Sequence, residues 1–303
     1  MLTRRLLLSS ALALSPLAAL AGAPLKVVAS FSILGDLVGQ VGGKRIALTT
    51  LVGPDGDAHV YQPTPADARA VAAADLVIVN GLGFEGWIDR LIAASGFDGP
   101  VAVASDGVDV LMVEGDAAHG HSHGHEHGDV DPHAWQSVPA VSAYLANIAD
   151  ALIDADPDGA EAYAASRDAY LEELAALEAE IAAAVAALPP GRRVVVTSHD
   201  AFGYFARDHG LAFLAPQGVS TEAEASAQDV AALITQIREG AIPAIFVESV
   251  ADPRLLQQIE RETGARIGGA LYSDALSGTD GPASTYLDMM RRNLRMLTEA
   301  LSG

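Results

Sequence analysis

The 303-residue sequence contains no cysteine and few basic residues. Without cysteine the folded chain has no disulfide bond, so its core must stabilise it, and any metal site must use histidine and carboxylate ligands. The 18 Lys and Arg are outnumbered by 39 Asp and Glu, which gives a formal net charge of −21. A chain this acidic is repelled by nucleic acid and by anionic membrane surfaces, so we expect no nucleic-acid partner.

Long hydrophobic runs are also missing after the N-terminus: no later segment has about 20 uninterrupted apolar residues, which predicts a soluble mature chain. The N-terminus has the features of an export signal, with Arg4 and Arg5, an apolar run over 6–13 and an A-x-A site at 19–21. We expect a signal peptide over residues 1–21, cleavage after Ala21 and a periplasmic mature protein. An uncleaved membrane anchor is the alternative, and the export route, Sec or Tat, stays open.

Apolar runs and helical patterns alternate along both halves of the chain, which predicts an α/β fold. The runs are apolar throughout, as in parallel strands that helices cover on both faces. We predict two lobes, over 22–156 and 191–303, each with a mostly parallel four-stranded sheet flanked by helices. Strands are expected at 25–29, 46–52, 76–80, 101–104, 193–197, 211–214, 244–247 and 266–271, and helices at 33–41, 65–74, 137–153 and 285–301.

Residues 157–190 are predicted to form one long backbone helix that joins the lobes. Apolar residues recur at steps of three, four or seven from Tyr163 to Leu188, and Pro189 and Pro190 end the pattern. A helix over 158–188 would be a rod of roughly 46 Å. A pair of helices broken near Leu174 would show the same pattern, so both arrangements stay open.

A Gly-, His- and acid-rich segment over 115–130 interrupts the first lobe and predicts a flexible loop. Its five histidines stand at alternating positions: His119, His121, His123, His125 and His127. We expect this tract to capture zinc weakly, as an accessory to a tighter site, because a flexible loop cannot hold ligands in a fixed geometry. An unspecific polar loop is the alternative.

Four polar residues follow predicted strands or precede predicted helices, where open α/β sheets bind their ligands. Any one of them alone could be a capping or core residue, but two come from each half of the chain. A shared ligand would therefore lie between the lobes. Three imidazoles and one carboxylate suit four-coordinate Zn²⁺. The four residues are His59, His133, His199 and Asp274.

The segments around these residues resemble the metal-binding family of ABC-transporter solute-binding proteins, the cluster A-I group. The resemblance extends over essentially the whole mature chain. It implies two lobes linked by a backbone helix, the four residues as metal ligands, and delivery of the metal to a membrane permease with its ATPase. The segments that carry it are HVYQPTPAD (59–67), DPHAW (131–135), TSHDAFGYFA (197–206) and YSDALS (272–277).

His199 bears on which metal the site takes. The manganese-binding branch of the family usually has Glu at this position, so His resembles the zinc branch, whose members often carry a His-rich loop before the DPHAW segment. Donor chemistry agrees, because imidazole suits Zn²⁺ and carboxylate oxygen favours Mn²⁺. We expect a monomer that carries Zn²⁺ and that could receive it from a periplasmic zinc-donating chaperone.

Supporting residues are less well defined by the sequence. A metal-bound histidine normally donates its other ring N–H to a carboxylate or carbonyl, and Asp131, Asp200 and Glu248 are candidates for that role. The sequence does not pair them with particular histidines. Trp87 and Trp135 are expected to be packing residues.

Three other functions compete with this interpretation. A zinc hydrolase would need a catalytic motif, but the sequence has no H-E-x-x-H, no G-x-S-x-G and no phosphate-binding glycine loop beyond the incomplete Gly81-Leu82-Gly83. A zinc buffer or adhesin would use the same ligands without delivering the metal. A manganese importer, or one for another divalent metal, would share the fold and most of the site.

Overall fold

A computed structural model describes residues 23–113, 130–189, 191–240, 242 and 244–302. Within these ranges the chain forms two four-stranded sheets with helices around them, which confirms the predicted α/β fold. The first lobe and the connector contain β1 (Leu25–Phe31), α1 (Ser32–Gly42), β2 (Ile46–Val52), α2 (Pro65–Ala72), β3 (Leu76–Val79), α3 (Ile88–Ser95), β4 (Val101–Val103), α4 (Val138–Ala155) and α5 (Ala160–Ala186). The second lobe contains β5 (Val194–Val196), α6 (Gly203–His209), β6 (Ala212–Leu214), α7 (Ala227–Gly240), β7 (Ala244–Glu248), α8 (Arg254–Thr263), β8 (Arg266–Leu271) and α9 (Tyr286–Ser302).

The two sheets have the same topology. Their strand orders are β2-β1-β3-β4 and β6-β5-β7-β8, and every pair of neighbouring strands is parallel. In each sheet the order reverses beside the first strand, at β1/β3 and at β5/β7. Loops diverge at such a reversal and leave a crevice at the carboxyl ends of the strands, which is where this class of sheet binds ligands.

The connector is one continuous helix, α5, rather than two helices broken near Leu174. It has 27 residues, which corresponds to about 40 Å. It begins at Ala160 instead of 158, because Pro157–Gly159 forms a separate 3₁₀ turn, and it ends at Ala186, before the prolines. Helix α5 packs against α1 and α4 of the first lobe and against α6 and α9 of the second, so both lobes share it.

Helix α4 is the one described helix that is long and apolar enough to cross a membrane by length and composition. Its apolar face is buried inside the first lobe through Val141, Tyr144, Leu145 and Ile148, and it packs against α1 and α5. It is therefore a core helix. The predicted His-rich loop spans residues 115–130, of which 115–129 lie outside the described residues. Its last residue, Val130, pairs with Met112 in an isolated antiparallel bridge.

Candidate metal centre

The four sequence-predicted ligands come together between the lobes. One ligand atom from each of His59, His133, His199 and Asp274 lies within 4.8 Å of the others. His199 Nε2 is 3.0 Å and His59 Nε2 is 3.5 Å from Asp274 Oδ2. His133 Nε2 is 3.5 Å from Asp274 Oδ1 and 3.3 Å from His59 Nε2. Ligand atoms bound to one tetrahedral zinc ion lie about 3.3 Å apart, given bond lengths of about 2.0 Å.

The site is closed to solvent. His133, His199 and Asp274 have 0% relative exposure and His59 has 5%. Both carboxylate oxygens of Asp274 are buried, and no donor in the described chain makes an aligned hydrogen bond to either. Buried acceptors without partners are costly and rare in native proteins, unless a metal or water completes them. The residues present therefore fit a bound cation.

The first lobe places His59 through the loop after β2. The His59 backbone N–H donates to Asp57 Oδ1 at 2.9 Å, and the Trp87 indole N–H donates to the Ala58 carbonyl at 2.7 Å. The Phe84 ring packs edge-on against the imidazole, with centroids 4.7 Å apart. These contacts fix the loop and exclude water from one side of the ring.

His133 is held by Asp131, two residues earlier in the chain. Asp131 Oδ1 accepts the His133 backbone N–H at 2.9 Å and lies 2.7 Å from ring Nδ1. Nδ1 is thereby engaged and Nε2 faces the site, the orientation that a carboxylate normally imposes on a metal-binding imidazole. The Asn80 side chain donates to the Pro132 carbonyl at 3.1 Å, which ties this turn to the end of β3.

The second lobe holds His199 in the same way, with a carboxylate from a distant strand. Glu248, the last residue of β7, accepts the backbone N–H groups of Ser198 and His199 at 2.7 and 2.9 Å through Oε1. Its Oε2 lies 2.7 Å from His199 Nδ1. Of the three carboxylates suggested by the sequence, Asp131 and Glu248 contact a ligand ring. The Asp200 carboxylate makes no hydrogen bond within the described residues.

Asp274 follows β8, and its loop is braced by the first lobe. The Ser273 carbonyl accepts the Trp135 indole N–H at 2.8 Å and the Gln136 side-chain N–H at 2.7 Å. Trp135 is fully buried, as expected for a packing residue, but it also joins the turn after His133 to the turn before Asp274. Sequence patterns gave no sign of this brace, or of Phe84 as a wall of the site.

The electrostatics of the cluster favour a cation. Burial alone would raise the pKa of Asp274, but the neighbouring His199 and His133 outweigh it and hold that pKa well below its ordinary value. Burial would lower the pKa of His199, whereas the Glu248 and Asp274 carboxylates raise it well above its ordinary value. The buried carboxylates thus attract positive charge to the site, and a metal ion supplies it without the steric bulk of a side chain.

Known proteins match the chain over nearly its whole length. A family profile described as ZnuA, "Zinc-uptake complex component A periplasmic", matches residues 27–300. The "Manganese-binding lipoprotein MntA" of Halalkalibacterium halodurans is 34% identical over 281 residues, covering 93% of this chain and 90% of the relative. The "Iron-binding protein YfeA" of Yersinia pestis is 34% identical over 265 residues, covering 88% and 82%.

Solved structures agree with the fold. The "periplasmic zinc binding protein TroA from Treponema pallidum" matches with a TM-score of 0.84 at 30% identity, covering 92% of this chain and 100% of that one. An Mn-bound periplasmic metal-binding protein from Candidatus Liberibacter asiaticus matches with a TM-score of 0.80 at 32% identity, covering 91% and 99%. The chain therefore belongs to the ZnuA family of periplasmic metal-binding proteins, which are the non-enzymatic substrate-binding subunits of ABC metal importers.

Proposed function

We propose that this subunit carries Zn²⁺, held by His59, His133, His199 and Asp274. The observation that carries the proposal is the ligand set itself: three Nε2 atoms converge on buried carboxylate oxygens that have no other partner among the described residues. Three nitrogen donors and one oxygen donor suit zinc, whereas manganese is usually bound by more oxygen. The cargo of the relatives does not decide the matter, since their names specify manganese, iron and zinc.

The exported chain would deliver the ion to a membrane permease that is driven by its ATPase. We propose that residues 1–21 direct export and are removed, and that the mature protein acts as a monomer. The net charge of −21 favours cations around the protein and disfavours nucleic acid. The histidines from 119 to 127 would collect zinc weakly or meet a zinc-donating chaperone, while the closed site between the lobes would hold one ion tightly.

Metal competition tests the choice of cargo. The purified mature chain, stripped of metal, is titrated with Zn²⁺, Mn²⁺ and Fe²⁺ under anaerobic conditions, and bound metal is counted after gel filtration. We expect one tight equivalent of Zn²⁺ that excess Mn²⁺ does not displace. Retention of Mn²⁺ or Fe²⁺ in the presence of equimolar Zn²⁺ would instead assign the chain to one of those metals.

Two variants separate the parts of the proposal. Deleting residues 119–127 should remove the weak equivalents and leave the tight one. His199→Glu should lower the preference for Zn²⁺ over Mn²⁺, because it replaces an imidazole by a harder oxygen ligand. If His199→Glu leaves the relative affinities unchanged, His199 is not a ligand.

A further inference from the structure

A cavity of about 410 Å³ lies beside the closed metal centre and reaches both lobes. Asp57 lines it from the first lobe, two residues before the candidate ligand His59. Ser198 lines it from the second lobe, directly before His199. Because the four candidate ligands are almost completely buried, an ion cannot reach them without a passage, and this cavity adjoins two of the four ligand loops.

The lining of the cavity suits a passing cation. Asp57, Glu224 and Asp252 contribute three carboxylates, against the single cation of Arg254. Arg254 Nε already donates to Asp252 at 2.7 Å. A cavity walled by an excess of one charge raises the local concentration of the opposite ion.

A second, independent observation concerns Ser198 in the wall of the cavity. Ser198 is only 5% exposed, and its buried hydroxyl has no hydrogen-bond partner in the described chain, although the residue lines the cavity. A buried hydroxyl is normally satisfied by protein or by ordered water. The wall of the cavity therefore holds an unsatisfied polar atom, directly before the candidate ligand His199.

The cavity is bounded by the segment 217–226, which contributes Gln217, Thr221, Glu224 and Ala225 to its lining. This segment is attached to its own lobe, where the Asp200 N–H donates to the Gly218 carbonyl at 3.2 Å. Among the described residues its one side-chain hydrogen bond to the first lobe is from Thr221 Oγ1 to Asp57 Oδ2, at 2.7 Å. The other oxygen of Asp57 accepts the His59 backbone N–H. One carboxylate thus joins the segment to a ligand loop.

We propose that this cavity is the passage by which the metal ion enters and leaves the four-ligand site, and that the Asp57–Thr221 hydrogen bond is the latch that closes it. The proposal rests on the function proposed above and specifies how the same site exchanges its cargo. Asp57 acts as a positioning residue: it holds His59 through one oxygen and the closing segment through the other.

A groove of similar size supplies a matched control. Its volume is about 440 Å³, it is lined by first-lobe residues such as Tyr61, Trp87 and Ala94, and it has Arg90 but no carboxylate. The complete lack of cysteine in the chain means that a single introduced thiol can be modified selectively after folding. Ala251 lines the cavity and Ala94 lines the control groove.

The test measures Zn²⁺ exchange in the folded mature protein carrying Ala251→Cys or Ala94→Cys, before and after labelling with a bulky maleimide. Zinc association is followed by the fluorescence of Trp135, whose ring lies 5.2 Å from that of His133, and release by transfer to a fluorescent chelator. Labelling at position 251 should slow association and release by the same factor and leave the dissociation constant unchanged. Labelling at position 94 should change neither rate.

Thr221→Val tests the latch and should have the opposite effect on the two rates, because valine keeps the shape of the side chain and removes the hydrogen-bond donor. Both rates should rise about fivefold, the factor for loss of one ordinary hydrogen bond. If zinc binds tightly but neither the label at 251 nor Thr221→Val changes a rate, the passage is elsewhere and this inference is wrong. A failure of the unlabelled parent chain to bind zinc would instead refute the proposed cargo.

Discussion

The two faces of the second sheet are packed very differently. On one face, Ala244 and Phe246 of β7 join a core that runs through α9 and α5 into the first lobe without a break. On the other face, Ile245 joins a separate cluster, formed mainly with α7 and α8, that has nine buried residues in the described part of the chain. The first lobe, on one side of the metal cleft, therefore belongs to the large core. The second lobe, on the other side, also includes a thin outer layer.

This difference has a consequence for metal exchange. Regions with few buried apolar contacts open locally at lower free energy than the rest of a protein. The segment 217–226 leads directly into α7, and Glu248, which orients His199, ends the strand that both cores share. We infer that the His199 side of the site can loosen while His133 and the brace at Ser273 stay fixed.

Removing the carboxylate ligand is expected to have the largest effect, because it breaks the site that joins the two sides. Asp274→Ala should weaken zinc binding by more than about 100-fold, since even loss of a residue that orients a ligand costs up to that factor. Isothermal titration of the tight equivalent measures it. Asp200→Ala is the control, because the neighbouring Asp200 carboxylate makes no hydrogen bond within the described residues. Equal losses in the two variants would contradict the ligand assignment.

Core truncations compare the two layers directly. Leu177→Ala in α5 and Ile259→Ala in α8 each remove a fully buried side chain and should each cost about 2–5 kcal/mol of packing. Leu177→Ala should lower the stability of the whole protein. Ile259→Ala should accelerate hydrogen exchange mainly within α7 and α8.

The positions of the tryptophans make this comparison measurable in urea. Trp87 and Trp135, the only two in the sequence, both belong to the first lobe. For Ile259→Ala, far-UV circular dichroism should therefore change at lower urea concentrations than tryptophan fluorescence. Coincident transitions in both variants would show that the two cores unfold as one unit.

The orienting carboxylates are expected to have an intermediate effect. Glu248→Gln and Asp131→Asn should each weaken zinc binding by about 10- to 100-fold, because each replaces the anion that fixes a ligand imidazole. Glu248→Gln should be the more damaging of the two. Glu248 uses one oxygen for the backbone N–H groups and the other for the His199 ring, and Gln has only one acceptor oxygen. Asp131 makes both of its contacts to His133 through Oδ1, which Asn retains. Chelator competition gives both affinities. A larger loss for Asp131→Asn would contradict the idea that the thin side depends more on its carboxylate.

The smallest effect is expected at the surface, where Arg45 pairs with Asp156 at the junction of the first lobe and α5. Exposed ion pairs contribute little to stability, so Arg45→Ala should barely shift the urea midpoint at pH 7. Hydrogen bonds from Tyr163 and Arg45 lower the pKa of Asp156. The contribution of the pair is therefore present above pH 3.8, the ordinary value for Asp, and is lost as the pH falls through the lowered pKa. If the difference in urea midpoint between the parent chain and Arg45→Ala grew as the pH fell, this prediction would be wrong.

The sequence determined the elements whose signals are local. The strands Ile46–Val52 and Arg266–Leu271 occupy the predicted residues. Continuous apolar runs mark strands that are covered on both faces, as in Leu76–Val79, whose four residues are all buried. The long connector was predicted from the recurrence of Tyr163, Leu177 and similar residues on one helical face. The candidate ligands were found for a related reason: strand ends fix where a polar side chain in an α/β sheet can meet a ligand.

Tertiary structure alone decided the rest. Helix α3 was not predicted: the equally short α2 begins with Pro65 and a capping box, whereas α3 has no side-chain cap or proline at its start. The pairing of His199 with Glu248 spans 49 residues, and the bond from Trp135 to Ser273 spans 138. No local pattern encodes such contacts, because they depend on how the lobes pack around α5. The closure of the site, the cavity beside it and the unequal cores arise from that packing, which brings together residues that the sequence keeps far apart.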